Sequence, residues 1–248
     1  MVYPLQLSPQ NCDADPLAGK PNPPDGLFPR LLFYGRRNGY FYAALSFIGR
    51  NSFAFWRSVA PLLARKKIAK WLSKSEPRIV NLGGGANISD RWLTADMDPR
   101  ADVYVDISRP LPFPDQSVDV IYLEEVIEHV PRTTGIRLLA ECHRILKPGG
   151  ALRLTTPCLD LFAAQFDGSI SYEEKLNNIF YQHGHQFIYS NSGIKHILDV
   201  AQFTLVQESS FRDSNSKYGY FDTHSLRFAI SDRSTTQYWD AIKPEQVN

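Results

Sequence analysis

Cysteine is scarce in this sequence: only Cys12, Cys142 and Cys158 occur in 248 residues. An odd number without short pairing or metal-ligand spacing argues against both a disulfide framework and a zinc knuckle, and fits a reducing compartment. No apolar run reaches the roughly 18 residues needed to span a bilayer, and residues 1–10 lack a basic start followed by an apolar stretch. Neither a membrane span nor a secretory leader is expected, and the expected location is cytoplasmic. Internal repeats and low-complexity tracts are missing too, which excludes solenoids and arrays. The most local absence is of acid. Between Asp25 and Glu76 there is no carboxylate, while Arg30, Arg36, Arg37, Arg50, Arg57, Arg65, Lys66, Lys67, Lys70 and Lys74 supply ten cations. The net charge of +1 therefore hides a basic front and an acidic remainder.

What is present is an ordinary globular composition, 43% hydrophobic and 21% charged, which suits one α/β catalytic domain with extensions. Seven prolines between Pro4 and Pro29 predict an irregular arm over residues 1–29. Residues 31–72, aromatic and basic by turns, predict two helices. After Pro77 short apolar runs at 78–82, 92–95, 103–105, 118–123 and 151–155 alternate with glycines and helical stretches, the pattern of a parallel sheet covered on both faces. The helix predicted over 132–146 places Ile136, Leu139, Ala140, His143 and Leu146 on one face. Helices are also predicted over 171–181 and 191–200, and closing strands over 204–208 and 226–230. The resulting division is an arm and helical extension over 1–75, a catalytic domain over 76–235 and a tail over 236–248.

Chemistry concentrates at the strand ends. Val80-Asn-Leu-Gly-Gly-Gly-Ala-Asn87 is a strand running into three glycines, where backbone amides can approach a ligand with no Cβ in the way. A dinucleotide fingerprint would need glycine at Ile88 and an acid about 20 residues on, and has neither. Instead Asp96 ends the second strand, where a carboxylate can accept from both ribose hydroxyls, and Asp106 ends the third, where it can accept from an adenine amino group. Singly, each aspartate is equally read as a cap. At three successive strand ends the set reads as a nucleoside cradle.

Together with Trp92-Leu-Thr-Ala-Asp-Met-Asp98, Ala101-Asp-Val-Tyr-Val-Asp106, Leu111-Pro-Phe-Pro-Asp-Gln-Ser-Val-Asp-Val-Ile-Tyr122, Glu125-Val-Ile-Glu-His-Val130 and Leu146-Lys-Pro-Gly-Gly-Ala-Leu-Arg-Leu154, this ordered set resembles the class I S-adenosylmethionine-dependent methyltransferases, in particular bacterial type 11-like members with a short first helix. The resemblance covers about residues 78–210. It implies a doubly wound, mostly parallel seven-stranded sheet and S-adenosylmethionine as cofactor. Gly83, Gly84 and Gly85 would wrap its methionine part, Asp96 with Met97 its ribose, and Asp106 with Ile107 its adenine. Leu123 and Glu124 would close the pocket near the sulfonium. Two departures are Asn81, where the family has an acid, and Asn87, where it has a glycine.

The acceptor side is less legible. His129 lies just past the fourth strand, where it serves either as a base or as loop packing. His185, in a Gly-His-x-Phe stretch shared with the resembling enzymes, is assigned a substrate-facing role or, equally, a cap. No spacing favours a metal site from His129, His183, His185 and His224, and none is expected. The implied acceptor is a small molecule or a sugar-containing metabolite of the kind met in polysaccharide assembly. A methyltransferase fold that has lost turnover and serves as a scaffold is the alternative, kept open by Asn81 and Asn87. The acid-free front, residues 30–74, predicts either peripheral contact with an anionic membrane or lipid-linked glycan, or a lid whose charges pair within the chain. No nucleic-acid reading motif is seen and no such partner is expected. Oligomeric state is not encoded legibly.

Overall fold

From Ile79 onward the expected strands form, but the first four follow one another with no α-helix between them, and α-helices enter only from Arg132, where the glycine-punctuated apolar runs predict helical stretches throughout. The computed structural model describes residues 27–38, 40–74, 77–165, 168, 171–213, 216–219, 222–223 and 235–245. Among these are seven strands, in the sheet order Val103–Tyr104, Leu93–Asp96, Ile79–Leu82, Val118–Glu124, Leu146–Pro157, Thr236–Ile242, Thr204–Ser209. This is the doubly wound, mostly parallel α/β architecture that was expected. Of the arm expected over residues 1–29, residues 1–26 lie outside the described residues, as does the strand expected at 226–230, while residues 27–29 are helical and open the helix Leu27–Asn38. By contact density the chain divides between Phe113 and Pro114 into two compact units.

The first unit holds α1 (Leu27–Asn38), α2 (Tyr40–Asn51), α3 (Phe53–Leu72), β1 (Ile79–Leu82), β2 (Leu93–Asp96) and β3 (Val103–Tyr104). Three helices thus stand where two were expected, because Ser52 takes extended backbone and its hydroxyl accepts from Phe55 N–H at 3.4 Å, starting a new helix. On α3, Trp56, Ala60, Ala64 and Ile68 recur every four residues and are all buried, forming one stripe. Trp56 fixes its register: the indole N–H donates to the Met97 carbonyl at 2.9 Å, and the ring meets Tyr104 edge-on. β1 is buried at every residue and pairs in parallel with β2, Leu82 opposite Ala95, while β2 pairs in parallel with β3. Continuous burial, rather than alternation, marks a parallel strand covered on both faces.

The second unit holds β4 (Val118–Glu124), α4 (Arg132–Ile145), β5 (Leu146–Pro157), α5 (Leu159–Ala164), α6 (Tyr172–His183), α7 (Asn191–Val200), β6 (Thr204–Ser209) and β7 (Thr236–Ile242). β4 and β5 run parallel, and β7 runs antiparallel to both β5 and β6. β7 is formed within the segment read as a tail, and every one of its residues is buried. The buried face of α4 is Thr134, Gly135, Leu138, Leu139, Cys142 and Ile145, so the expected face is rotated: Ala140 is exposed and Ile136 only half-buried. Cys142 acts there as a small hydrophobe, and a side chain at Gly135 would lie within 2.7 Å of the Tyr189 hydroxyl.

Arg153, in the middle of β5, is fully buried. Its guanidinium donates from Nε and Nη2 to the two Asp222 oxygens at 2.9 and 2.6 Å, from Nη1 to Asp240 at 3.1 Å, and from Nη2 to the Ser210 carbonyl at 3.0 Å. Burial lifts the Asp222 carboxyl to about 6 against the opposing pull of Arg153. Replacing Arg153 by methionine would strand these carboxylates in the interior, at a cost of about 3–5 kcal/mol near neutral pH. Asp222 takes up a proton more readily without its cation, so the loss should be smaller at pH 5 than at pH 8. Urea denaturation of both proteins at the two pH values measures this, and an equal loss at each would refute it.

Candidate active site

The glycine turn is held by two hydrogen bonds that its sequence makes possible. Gly83 N–H donates to the Ala95 carbonyl at 2.8 Å, extending the β1–β2 ladder, and Gly83 and Gly85 take φ of 77° and 55°. Those left-handed angles suit glycine alone without strain. Gly85 N–H then donates to Asp96 Oδ2 at 2.8 Å, while Asp98 N–H donates to Oδ1 at 2.8 Å. The structure therefore brings the glycines and Asp96 together, 11 residues apart in sequence. Burial raises the Asp96 carboxyl above its ordinary value, and the amides of Asp98 and Gly85 pull against that rise. Asn87 stands where the family has glycine. Its own N–H closes the turn onto the Gly84 carbonyl at 2.9 Å, and its carbonyl accepts from Thr94 Oγ1 and the Trp92 indole.

Asp106 lies past β3. Its Oδ1 accepts from the Ser108 N–H at 3.0 Å and the Ser108 hydroxyl at 2.6 Å, and its Oδ2 lies 3.4 Å from Arg109 and 3.9 Å from Arg57. Ile107 and Met97 are half-buried. Beside Asp106 opens a cavity of about 450 Å³ lined by Arg57, Arg65, Tyr104 and Arg109, which does not include the glycine turn.

In the second unit, Leu123 is fully buried and Glu124 is 2% exposed. Glu124 Oε1 accepts from the Tyr122 hydroxyl at 2.6 Å and from Thr223 N–H at 2.9 Å, and Oε2 accepts from the Thr223 hydroxyl. Both oxygens are thus engaged inside the unit. Sequence reasoning missed this arrangement, because Thr223 is 99 residues away. Burial, followed by the nearby Glu124 and Asp222, raises the Tyr122 phenol well above its usual value.

Beyond β4 a short 3₁₀ turn, Ile127–His129, carries Glu128 and His129. Glu128 is fully buried and its Oε2 accepts from the Thr156 hydroxyl at 2.9 Å. The loop after α6 is clamped to this turn. Gln186 and Phe187 N–H donate to the Glu128 carbonyl at 2.7 and 3.2 Å, and the Gln186 amide donates to the His129 carbonyl at 2.8 Å. Gly184, left-handed at φ 68°, ends α6 and turns the chain into that position. Consequently the rings of His129 and His185 meet edge-on at 4.7 Å, with His183 5.6 Å from His185 and exposed. Burial lowers the imidazole of His129, against a Gly184 backbone hydrogen bond. Burial, with His129 and His183 adding, lowers that of His185 to about 4.

Residues 85–154 match a family model described as a methyltransferase domain. A Mycolicibacterium smegmatis protein named a probable S-adenosylmethionine-dependent methyltransferase is 41% identical over 59 residues, 24% of this chain and 22% of that protein. The chain thus matches little more than a fifth of its curated relative. Among solved structures, an S-adenosylmethionine-dependent methyltransferase from Mesorhizobium loti is similar at 19% identity and a TM-score of 0.48, over 72% of this chain and 98% of that one. Haemonchus contortus phosphoethanolamine N-methyltransferase 2 with S-adenosyl-L-methionine is similar at 15% identity and 0.47, over 88% and 62%.

Asn81, on β1, lies against the glycine turn. Its side-chain nitrogen is buried, makes no hydrogen bond among the described residues, and lies where any side chain at Gly84 would come within 2.5 Å of it. A Cβ at Gly85, by contrast, would meet nothing within 4 Å, so a buried polar donor stands beside a turn with open space at its end. The Gly85 amide and the Asp96 that holds it both fall within residues 85–154, the stretch that is similar to a methyltransferase domain.

Proposed function

We propose that the protein is an S-adenosylmethionine-dependent methyltransferase acting on a small-molecule or sugar-containing acceptor. The observation that carries the reading is the Asp96 carboxylate bound to the Gly85 amide, with the Asn81 donor beside it. Each Asp96 oxygen accepts one backbone N–H and keeps a further lone pair for a ribose hydroxyl. Gly83, Gly84 and Gly85 would hold the methionine part, Met97 would lie against the ribose, and Asp106 and Ile107 would flank adenine. Glu124 already spends its carboxylate on Tyr122 and Thr223, so it would help only by fixing the end of β4 together with Leu123. When bound, the cofactor supplies an electrophilic methyl group with a built-in leaving group. The protein's task is then chiefly alignment. His129 and His185 are the proposed acceptor-facing groups. The acceptor class itself is supported by the sequence resemblance alone.

Calorimetric titration with S-adenosylmethionine separates this reading from the scaffold alternative. Saturable binding and thermal stabilisation are expected, and no heat would favour the scaffold. Asp96→Ala should weaken binding about 10–100-fold, the worth of charge-assisted hydrogen bonds. Unchanged affinity in that variant would refute the assignment of Asp96.

We also infer peripheral contact between residues 30–74 and an anionic membrane. Phe41, Phe53, Phe55 and Leu62 are 70%, 47%, 39% and 74% exposed, which is unusual for side chains of this size. Arg57, Arg65, Lys66 and Lys70 are exposed among them, and Arg57 and Arg65 also line the cavity with Arg109. The opposite stripe of α3 is buried in its own unit, so the lid-like packing expected as an alternative accounts for one face of the helix and leaves the other open. Among the described residues no helix is long and apolar enough to cross a membrane, which leaves surface contact. Phosphatidylserine vesicles should co-sediment the protein at low salt and release it at high salt, with Phe41→Ser/Leu62→Ser binding less. Absence of salt-sensitive binding would sink this inference.

A further inference from the structure

We infer that Glu128, His129 and His185 form a binding site for a divalent first-row transition cation. One ligand atom from each of these residues lies within 4.8 Å of the other two. A cation about 2.0–2.2 Å from nitrogen and oxygen ligands draws them to about 3.4 Å apart, so the set must close by a little over 1 Å. The His129 side chain, 42% exposed, has room to make that movement. Glu128 is already oriented: one oxygen is held by Thr156, and the other lies 3.9 Å from His129 Nε2. A carboxylate steered by a hydroxyl behind it is the usual support for a metal ligand.

The cluster is also preorganised by the backbone. Two backbone N–H groups of the loop grip the Glu128 carbonyl, and the Gln186 side chain adds a bond from its Nε2 to that of His129, so His185 is held to the 3₁₀ turn by three hydrogen bonds independent of any ligand. His185 Nδ1 is buried with no hydrogen-bond partner among the described residues, an orphaned lone pair or N–H that a purely structural histidine would satisfy. Two imidazoles and one carboxylate suit zinc, manganese or ferrous iron better than magnesium or calcium, which prefer all-oxygen shells. Three protein ligands would also leave coordination positions open on the cation, as in catalytic rather than structural sites. A role for those positions in holding an acceptor oxygen rests on the methyltransferase reading; the site itself does not.

The test uses the full chain, stripped with a chelator, and is run separately from the cofactor titration so that each can fail alone. Calorimetry with Zn²⁺ and with Mn²⁺ should show one saturable site, and Mg²⁺ should show none. His129→Ala and His185→Ala should each weaken Zn²⁺ binding more than about 100-fold with unchanged far-ultraviolet circular dichroism. His183→Ala, removing the exposed neighbour, should leave it within about twofold. Undiminished binding in the first two variants would move the site elsewhere, and no saturable binding to wild type would remove it altogether.

Discussion

The hydrogen bond from the Gly85 amide to the Asp96 carboxylate is the constraint on which the candidate site depends. A chain leaving β1 through three glycines has many conformations open to it and little enthalpy to choose among them. Asp96 makes the choice. It sits at the end of β2, which is held in register with β1 by the parallel ladder, and so places a charged acceptor where one amide of the turn must point. The ladder fixes the aspartate, the aspartate fixes the turn, and the turn leaves Gly85 facing open space. Burial would otherwise disfavour the ionised carboxylate, and the two backbone donors counter that tendency.

A different solution operates in the second unit, where buried charge is handled by side chains. Arg153 spreads its donors over Asp222, Asp240 and the Ser210 carbonyl, and the neighbouring Glu124 is satisfied by Tyr122 and Thr223. Tyr122 also lies 3.3 Å from Asp222, so the two groups of acids form one polar network within the layer of β4, β5 and β7. Such a network specifies one arrangement of β7 against β5, because a shift of one residue would turn Asp240 away from Arg153.

How much of this could be read from the sequence follows from the range of each interaction. β1, β2, β4 and α7 declare themselves because apolar periodicity and glycines act over a few residues, and α7 spans the expected residues 191–200, opened by a Ser190 cap. The glycine turn and Asp96 were legible for the same reason. What escaped is held by distant partners. Arg153 in an apolar strand looks like an anomaly until residues 69 and 87 positions on supply its carboxylates. β7 looked like a tail because its tyrosine, tryptophan and aspartate only make sense against β5. The rotated face of α4 turned on Cys142 and Gly135, whose burial depends on what they pack against.

The histidines illustrate the same limit most sharply. His129 and His185 could each be named as candidates from local motif, yet nothing in the sequence says that their rings touch or that Glu128 lies beneath them. The link is made by backbone: one carbonyl of Glu128 accepting from two successive amides of the loop after α6. Any sequence with a turn there could make those bonds, so they leave no residue signature. That also explains why spacing arguments found no metal site among the histidines. The third ligand atom comes from Glu128, whose acid in a Glu-His pair reads as a loop residue until the fold encloses it beside two imidazoles.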